Sequence, residues 1–156
     1  MGEKVTYSKS EAVEENTSGN LLNYIEPADF KKVVSSKSIS RFELTGLFAQ
    51  MARYNTLYMI SRAGSGHLGS SFSSLDIVSY LYLFCIKSRD RFFSSKGHDA
   101  PGLYAVLAAL DIIPFDLIHR LRRLGGLPGH PDIETPGMFT NTGSLGMGVS
   151  KAKGFL

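Results

Sequence analysis

Asp90-Arg91-Phe92-Phe93-Ser94-Ser95-Lys96-Gly97-His98 is a short apolar run that stops at a glycine-histidine pair, with Pro101 placed just beyond it for the first turn of a helix. A strand candidate over Asp90–Ser94 that breaks at Gly-His and hands over to a helix is the place where α/β proteins hold ligand-binding atoms. The stretch therefore sets the expected class as α/β. Leu103, Leu107 and Leu110 give the following helix its buried side. The pair itself recurs at Gly66-His67 and Gly129-His130. With 16 Gly in 156 residues, chance would put glycine before about one histidine in ten, yet three of the four histidines follow one. Glycine opens turn geometries and clears space for a ligand, and imidazole changes charge near neutral pH. These three loops are expected to form one polar site.

On the N-terminal side, Leu44, Leu47, Phe48, Met51, Tyr54, Leu57 and Tyr58 recur at helical spacing from Arg41, and predict a helix ending near Ala63-Gly64. Ser73-Ser74-Leu75-Asp76 reads as a capping box opening a second helix, with Leu75, Val78, Leu81/Tyr82 and Cys85 on one face. On the C-terminal side a helix is predicted from about Pro114 to Gly125-Gly126. It turns Leu117, Leu121 and Leu124 inward and leaves His119 solvated with Asp116 and Arg123. The irregular stretch from Gly125 to Gly143 is long enough to suggest a functional loop. The last helix opens at Gly143 and runs to Leu156, so the pattern reads as the opening part of a longer domain. Residues 1–40 read as a polar extension, mobile over residues 1–20, with one weak element around Leu21–Ile25. Residues 41–156 carry the domain.

Composition narrows the class. With 43% hydrophobic and 20% charged residues the chain is an ordinary globular one. A formal charge of +3 without an aromatic-interleaved basic patch gives no case for nucleic acid, and no apolar run approaches a membrane span. The single Cys85 excludes an internal disulfide, and its apolar setting predicts a buried, inert thiol. A polar start without a signal peptide makes the cytoplasm the expected location.

Four motifs stand in series: Ser65-Gly66-His67-Leu68-Gly69, the stretch ending Ser95-Lys96-Gly97-His98, Gly129-His130-Pro131, and Thr142-Gly143-Ser144-Leu145-Gly146-Met147-Gly148. In type, order and spacing, residues 41–156 resemble the N-terminal, thiamine-diphosphate-binding region of transketolases, in the form where this region is a separate subunit. The resemblance implies the first portion of a three-layer α/β fold, helix-rich in this piece, with most of the parallel sheet beyond Leu156. It implies transfer of a two-carbon ketol unit from a ketose to an aldose, with sugar phosphates or related sugars as substrates in carbohydrate metabolism. Thiamine diphosphate supplies the nucleophilic carbon. By the family pattern His67 and His130 would contact the donor sugar, His98 the diphosphate side, and Gly143 and Leu145 the aminopyrimidine through backbone groups.

The sequence departs from that pattern at Leu68, where proline is usual, and at Met147, where glutamine is frequent; both bear on substrate more than cofactor. Neither the family's Gly-Asp-Gly motif nor its later asparagine is present, so the Mg2+ ligands are expected outside this chain, and Asp132 and Glu134 are read as loop charges. The activating glutamate is likewise expected from another domain or subunit. The chain is thus expected to be inactive alone, working with a C-terminal transketolase subunit or domain and in a homodimer. An alternative is a non-catalytic, transketolase-like partner or dimerisation module. A histidine-ligated zinc hydrolase fits poorly, because the histidines lie 31 and 32 residues apart, from 67 to 98 and from 98 to 130, without a His-x-x-x-His pair.

Overall fold

Ser40 and Glu43 start the longest element. The Glu43 backbone N–H donates to Ser40 Oγ at 3.3 Å, while the Ser40 N–H donates to the Glu43 carboxylate at 2.9 Å, closing a capping box. Those two bonds hold the Glu43 carboxyl below its usual range. The Ser-x-x-Glu spacing that encodes this cap is present in the sequence, beside the more conspicuous Ser73–Asp76 pattern.

The computed structural model describes residues 14–15 and 21–156. A two-residue antiparallel pair joins β1 (Glu14–Glu15) to β2 (Leu21–Leu22). Helices α1 (Pro27–Val34), α2 (Arg41–Ala63), α3 (Leu68–Phe72) and α4 (Leu75–Tyr80) follow. Then come α5 (Ala100–Ala109), a 3-10 helix over Phe115–Arg120, and α6 (Gly148–Gly154). Every residue of α5 is buried, and α2, α3, α4 and the 3-10 helix pack around it. From α2 the core takes Leu44, Phe48, Met51, Ala52, Tyr58 and Met59, whereas Tyr54 and Leu57 of the expected apolar stripe face outward. Helix α1 lies within the stretch read as an extension, and its Phe30 and Val33 are buried in the same core. The expected mobility of residues 1–20 falls outside the described residues, apart from Glu14–Glu15.

Several local expectations give way to tertiary structure. Asp90–Ser94 is not a strand; a strand needs a neighbour for its N–H and C=O groups, and among the described residues only β1 and β2 pair. The helix-rich piece is therefore present, and the parallel sheet is not seen among the described residues. No side-chain cap forms at Ser74; its hydroxyl donates back to the Ser70 and Ser71 carbonyls, and Asp76 pairs with Arg53 of α2. Cys85 is exposed, not buried. After α4 the chain makes a π turn over Leu81–Cys85, with the Ile86 N–H reaching the Leu81 carbonyl at 2.8 Å. That wider turn rotates the face carrying Cys85 away from the core. Beyond Pro114 the predicted helix stops at Arg120, because Arg122 takes a left-handed conformation (φ 56°) and its N–H bonds the Leu127 carbonyl at 2.7 Å. Leu124 is consequently fully exposed. Helix α6 begins at Gly148, five residues later than the pattern from Gly143 suggests. Among the described residues no helix is long and apolar enough to cross a membrane.

Candidate functional site

Three loops deliver three imidazoles to one place. The centroids of His67 and His98 lie 4.9 Å apart, and those of His98 and His130 lie 5.1 Å apart, each pair edge to face. Each ring arrives by a different device.

His67 follows the end of α2, where Gly64 takes a left-handed cap (φ 66°). It stands directly before α3, and its carbonyl accepts the Ser71 N–H at 3.1 Å. His98 is the middle ring. Gly97 before it has φ 67° and is packed so tightly that a Cβ there would lie 2.5 Å from the Gly143 amide nitrogen. Only glycine fits such a conformation without strain. Lys96 ties this loop to α3, its ammonium donating to the Ser70 carbonyl at 2.9 Å. Ser94 Oγ donates to Asp99 Oδ2 at 2.7 Å. His98 Nδ1 lies 2.6 Å from the Lys96 carbonyl oxygen.

His130 is set by α5 from beneath, where the Tyr104 hydroxyl donates to the His130 carbonyl at 3.2 Å. Burial, with a smaller contribution from Asp132, raises the Tyr104 pKa, so that hydroxyl keeps its proton. The Thr142 N–H donates to the Pro131 carbonyl at 3.3 Å, folding the 140–143 segment back over His130. A Cβ on Gly143 would come 3.4 Å from the His130 ring. Partial burial, followed by the charges of His98, Arg122 and His67, holds the His130 imidazole below its usual value. A cleft of about 470 Å³ opens beside it, lined by His130, Asn141, Thr142, Gly143, Met147 and Lys151. Leu145 is exposed beyond its rim.

The fourth histidine goes elsewhere, and not to solvent. His119 Nδ1 lies 2.7 Å from the Tyr58 hydroxyl, its ring packs edge-on against Tyr24 and Tyr58, and its carbonyl accepts from Arg62 Nε at 2.8 Å. It is a half-buried packing residue.

At the start of α5, beside His98, the first N–H groups are spoken for. The Ala100 N–H donates to the Gly97 carbonyl at 3.2 Å, Pro101 has none, the Gly102 N–H donates to Ser71 Oγ at 3.3 Å and the Leu103 N–H to the Asp99 carbonyl at 3.2 Å. The Asp99 carboxylate, 3% exposed and with Oδ1 unpartnered, adds negative charge there. This helix terminus is used up internally.

The arrangement offers imidazoles that donate, accept or move protons, beside glycine backbone that allows a flat ring close approach. A resident metal is less well served: among the described residues no group of three or more His, Cys, Asp or Glu is placed to hold one.

Residues 45–156 match the family model described as transketolase, thiamine diphosphate binding domain. The chain is 40% identical over 117 residues to the 6-deoxy-6-sulfo-D-fructose transketolase subunit SqwG of Clostridium sp. (strain MSTE9), covering 68% of this chain and 42% of that protein. It is 34% identical over 122 residues to an apulose-4-phosphate transketolase subunit of Phocaeicola vulgatus, covering 72% and 43%. To the transketolase of Treponema pallidum it is 38% identical over 113 residues, covering 64% and 17%. The chain thus spans less than half the length of these curated relatives. No solved structure matches it.

Proposed function

The chain belongs to the transketolase family through its thiamine-diphosphate-binding domain, and from that premise we propose that it forms part of an enzyme transferring a two-carbon ketol unit from a ketose to an aldose. The observation that carries the reading is the convergence of His67, His98 and His130 from three Gly-His loops far apart in sequence. When bound, thiamine diphosphate supplies the nucleophilic carbon.

This chain's own residues then have separable tasks. His67 and His130 hydrogen-bond the sugar's carbonyl and hydroxyls, and His130, whose lowered pKa keeps it neutral near pH 7, accepts and returns a proton there. His98 faces the diphosphate. Backbone groups of Gly143 and Leu145 meet the aminopyrimidine. No step is assigned to magnesium; among the described residues no group of three or more His, Cys, Asp or Glu is placed to hold it.

Two of the relatives are named as subunits, which supports a partner subunit for this chain as well. Leu145, Val149 and Phe155 are exposed apolar side chains on the segment that borders the cleft, a surface suited to being covered.

Titrating the full chain with millimolar thiamine diphosphate, followed by NMR at the histidine rings, tests the reading. The signals of His67, His98 and His130 should move while His119 stays still. Movement of His119 alone, or of none of the three, would overturn it.

A further inference from the structure

We infer that His119 is a positioning residue: it clamps α2 to the 3-10 helix, and through that clamp it sets the separation of His67 from His130. That those two rings act on a sugar rests on the functional reading above; the clamp does not.

The clamp has two jaws on one residue. His119 Nδ1 lies 2.7 Å from the Tyr58 hydroxyl, and the His119 carbonyl accepts from Arg62 Nε at 2.8 Å. Tyr58 and Arg62 stand one turn apart on α2. Side chain and backbone of a single residue thus hold one helix at two points, which fixes both the distance and the rotation of the 3-10 helix against it. The rings of Tyr24, Tyr58 and Phe115 surround the imidazole at centroid distances of 4.9, 5.5 and 6.3 Å. Apolar contact holds surfaces together without choosing a register. The two directional bonds choose it.

Stiff segments carry that register to the site. From α2 the left-handed cap at Gly64 leads to Gly66, where a Cβ would lie 2.8 Å from Ile60 Cγ1, and then to His67. From the 3-10 helix, the Leu127 N–H donates to the Arg120 carbonyl at 3.1 Å and the Arg122 N–H to the Leu127 carbonyl at 2.7 Å. The Arg122 guanidinium packs on Gly129, where a Cβ would lie 2.8 Å from Cζ, directly before His130. His98 already moves with His130, because Gly97 is wedged against Gly143. Opening the clamp therefore shifts His67 against that pair, resisted by the Lys96 bond to the Ser70 carbonyl and the Gly102 bond to Ser71 Oγ.

Proton uptake loosens the same clamp. The groups facing His119 are Tyr58 and Arg62 of α2, Tyr24 and Glu26 from the segment before α1, and Asp116 on its own helix. Burial pushes the Tyr58 hydroxyl up to about 12, so it keeps its proton throughout. At His119, burial and then the Arg62 charge disfavour the imidazolium more than Glu26 and Asp116 favour it. The closed clamp holds a neutral ring, and a proton added below the ordinary value of 6.5 favours the open one.

The test uses the full chain with labelled histidines and reads nuclear Overhauser contacts between the rings of His67 and His98, and of His98 and His130. Tyr58→Phe and His119→Phe each keep the aromatic packing and remove the hydrogen bond. Both should lose the His67–His98 contact and keep the His98–His130 contact, with the α5 amides still protected from exchange. His119→Asn puts an amide oxygen in the place of Nδ1 and should retain both contacts. In the unaltered chain the His67–His98 contact should fade as pH drops below 6.5, following the His119 midpoint, and in His119→Asn it should persist. Contacts unchanged in both phenylalanine variants would overturn the inference. So would loss of both contacts together with α5 protection, which marks a merely structural role, or a contact that fades with pH in His119→Asn as well. In each of those cases the functional reading stands if thiamine diphosphate still moves His67, His98 and His130. A clamp that behaves as expected, with thiamine diphosphate moving none of the three, would sink the functional reading alone.

Discussion

Gly97 and Gly143 lie back to back, so close that a Cβ on Gly97 would sit 2.5 Å from the Gly143 amide nitrogen. The contact joins the loop carrying His98 to the segment folded over His130. The two loops are thereby fixed to one another through backbone alone, at a point where no side chain can yield.

Gly97→Ala should accordingly destabilise the chain by about 2–4 kcal/mol, combining left-handed strain at φ 67° with overpacking against backbone. Urea unfolding measures the loss. The His98 and His130 ring signals should shift together in this variant; a stable protein with unmoved rings would show that the loops tolerate separation.

Asn55 holds the chain entering α1. It is fully buried, accepts the Ile25 N–H at 2.7 Å and donates to the Ile25 carbonyl at 2.9 Å. Asn55→Ala strands both backbone groups and should cost about 2–4 kcal/mol. Hydrogen exchange at the Ile25 amide should accelerate well ahead of the α5 amides, and equal acceleration in both would argue against a local clamp.

Acid should weaken the fold through two histidines. His119 is lowered by burial first and then by Arg62, and His130 by burial and then by His98. In both, the unfolded ring binds its proton at a higher pH than the folded one. Stability is thus unaffected above the ordinary value of 6.5 and falls as pH drops below it toward the folded pKa values. NMR titration should place both midpoints below 6.5, and a midpoint above that value at either ring contradicts the sign. His98→Ala should move the His130 midpoint upward.

In the assembled enzyme, His130→Ala should slow sugar turnover by about 1–3 kcal/mol of barrier with little change in cofactor affinity. His98→Ala should show the reverse pattern. Steady-state rates with varied ketose, set beside cofactor titrations, separate the two; equal loss of cofactor affinity in both variants would abolish the proposed division.

Magnesium should change thiamine diphosphate affinity for this chain less than about threefold, because among the described residues no group of three or more His, Cys, Asp or Glu is placed to hold a metal. Calorimetry with and without the ion decides this, and tight magnesium-dependent binding would overturn it.

What the sequence determined by itself is local. A glycine before a histidine specifies a turn and places an imidazole on it, so the three loops and their residue types were legible, as was the helix from Arg41 to Ala63. The order of the four motifs carried the family. What required tertiary structure is everything that depends on who stands opposite. Asp90–Ser94 has strand composition and no neighbour to pair with among the described residues. One extra residue in the turn at Leu81–Cys85 swings Cys85 outward. His119 meets Tyr58 from 61 positions away. The donors at the start of α5, free in any isolated helix, are taken up by Gly97, Ser71 and Asp99. Hydrogen-bond satisfaction belongs to pairs of groups, and a sequence states only one member of each pair at a time.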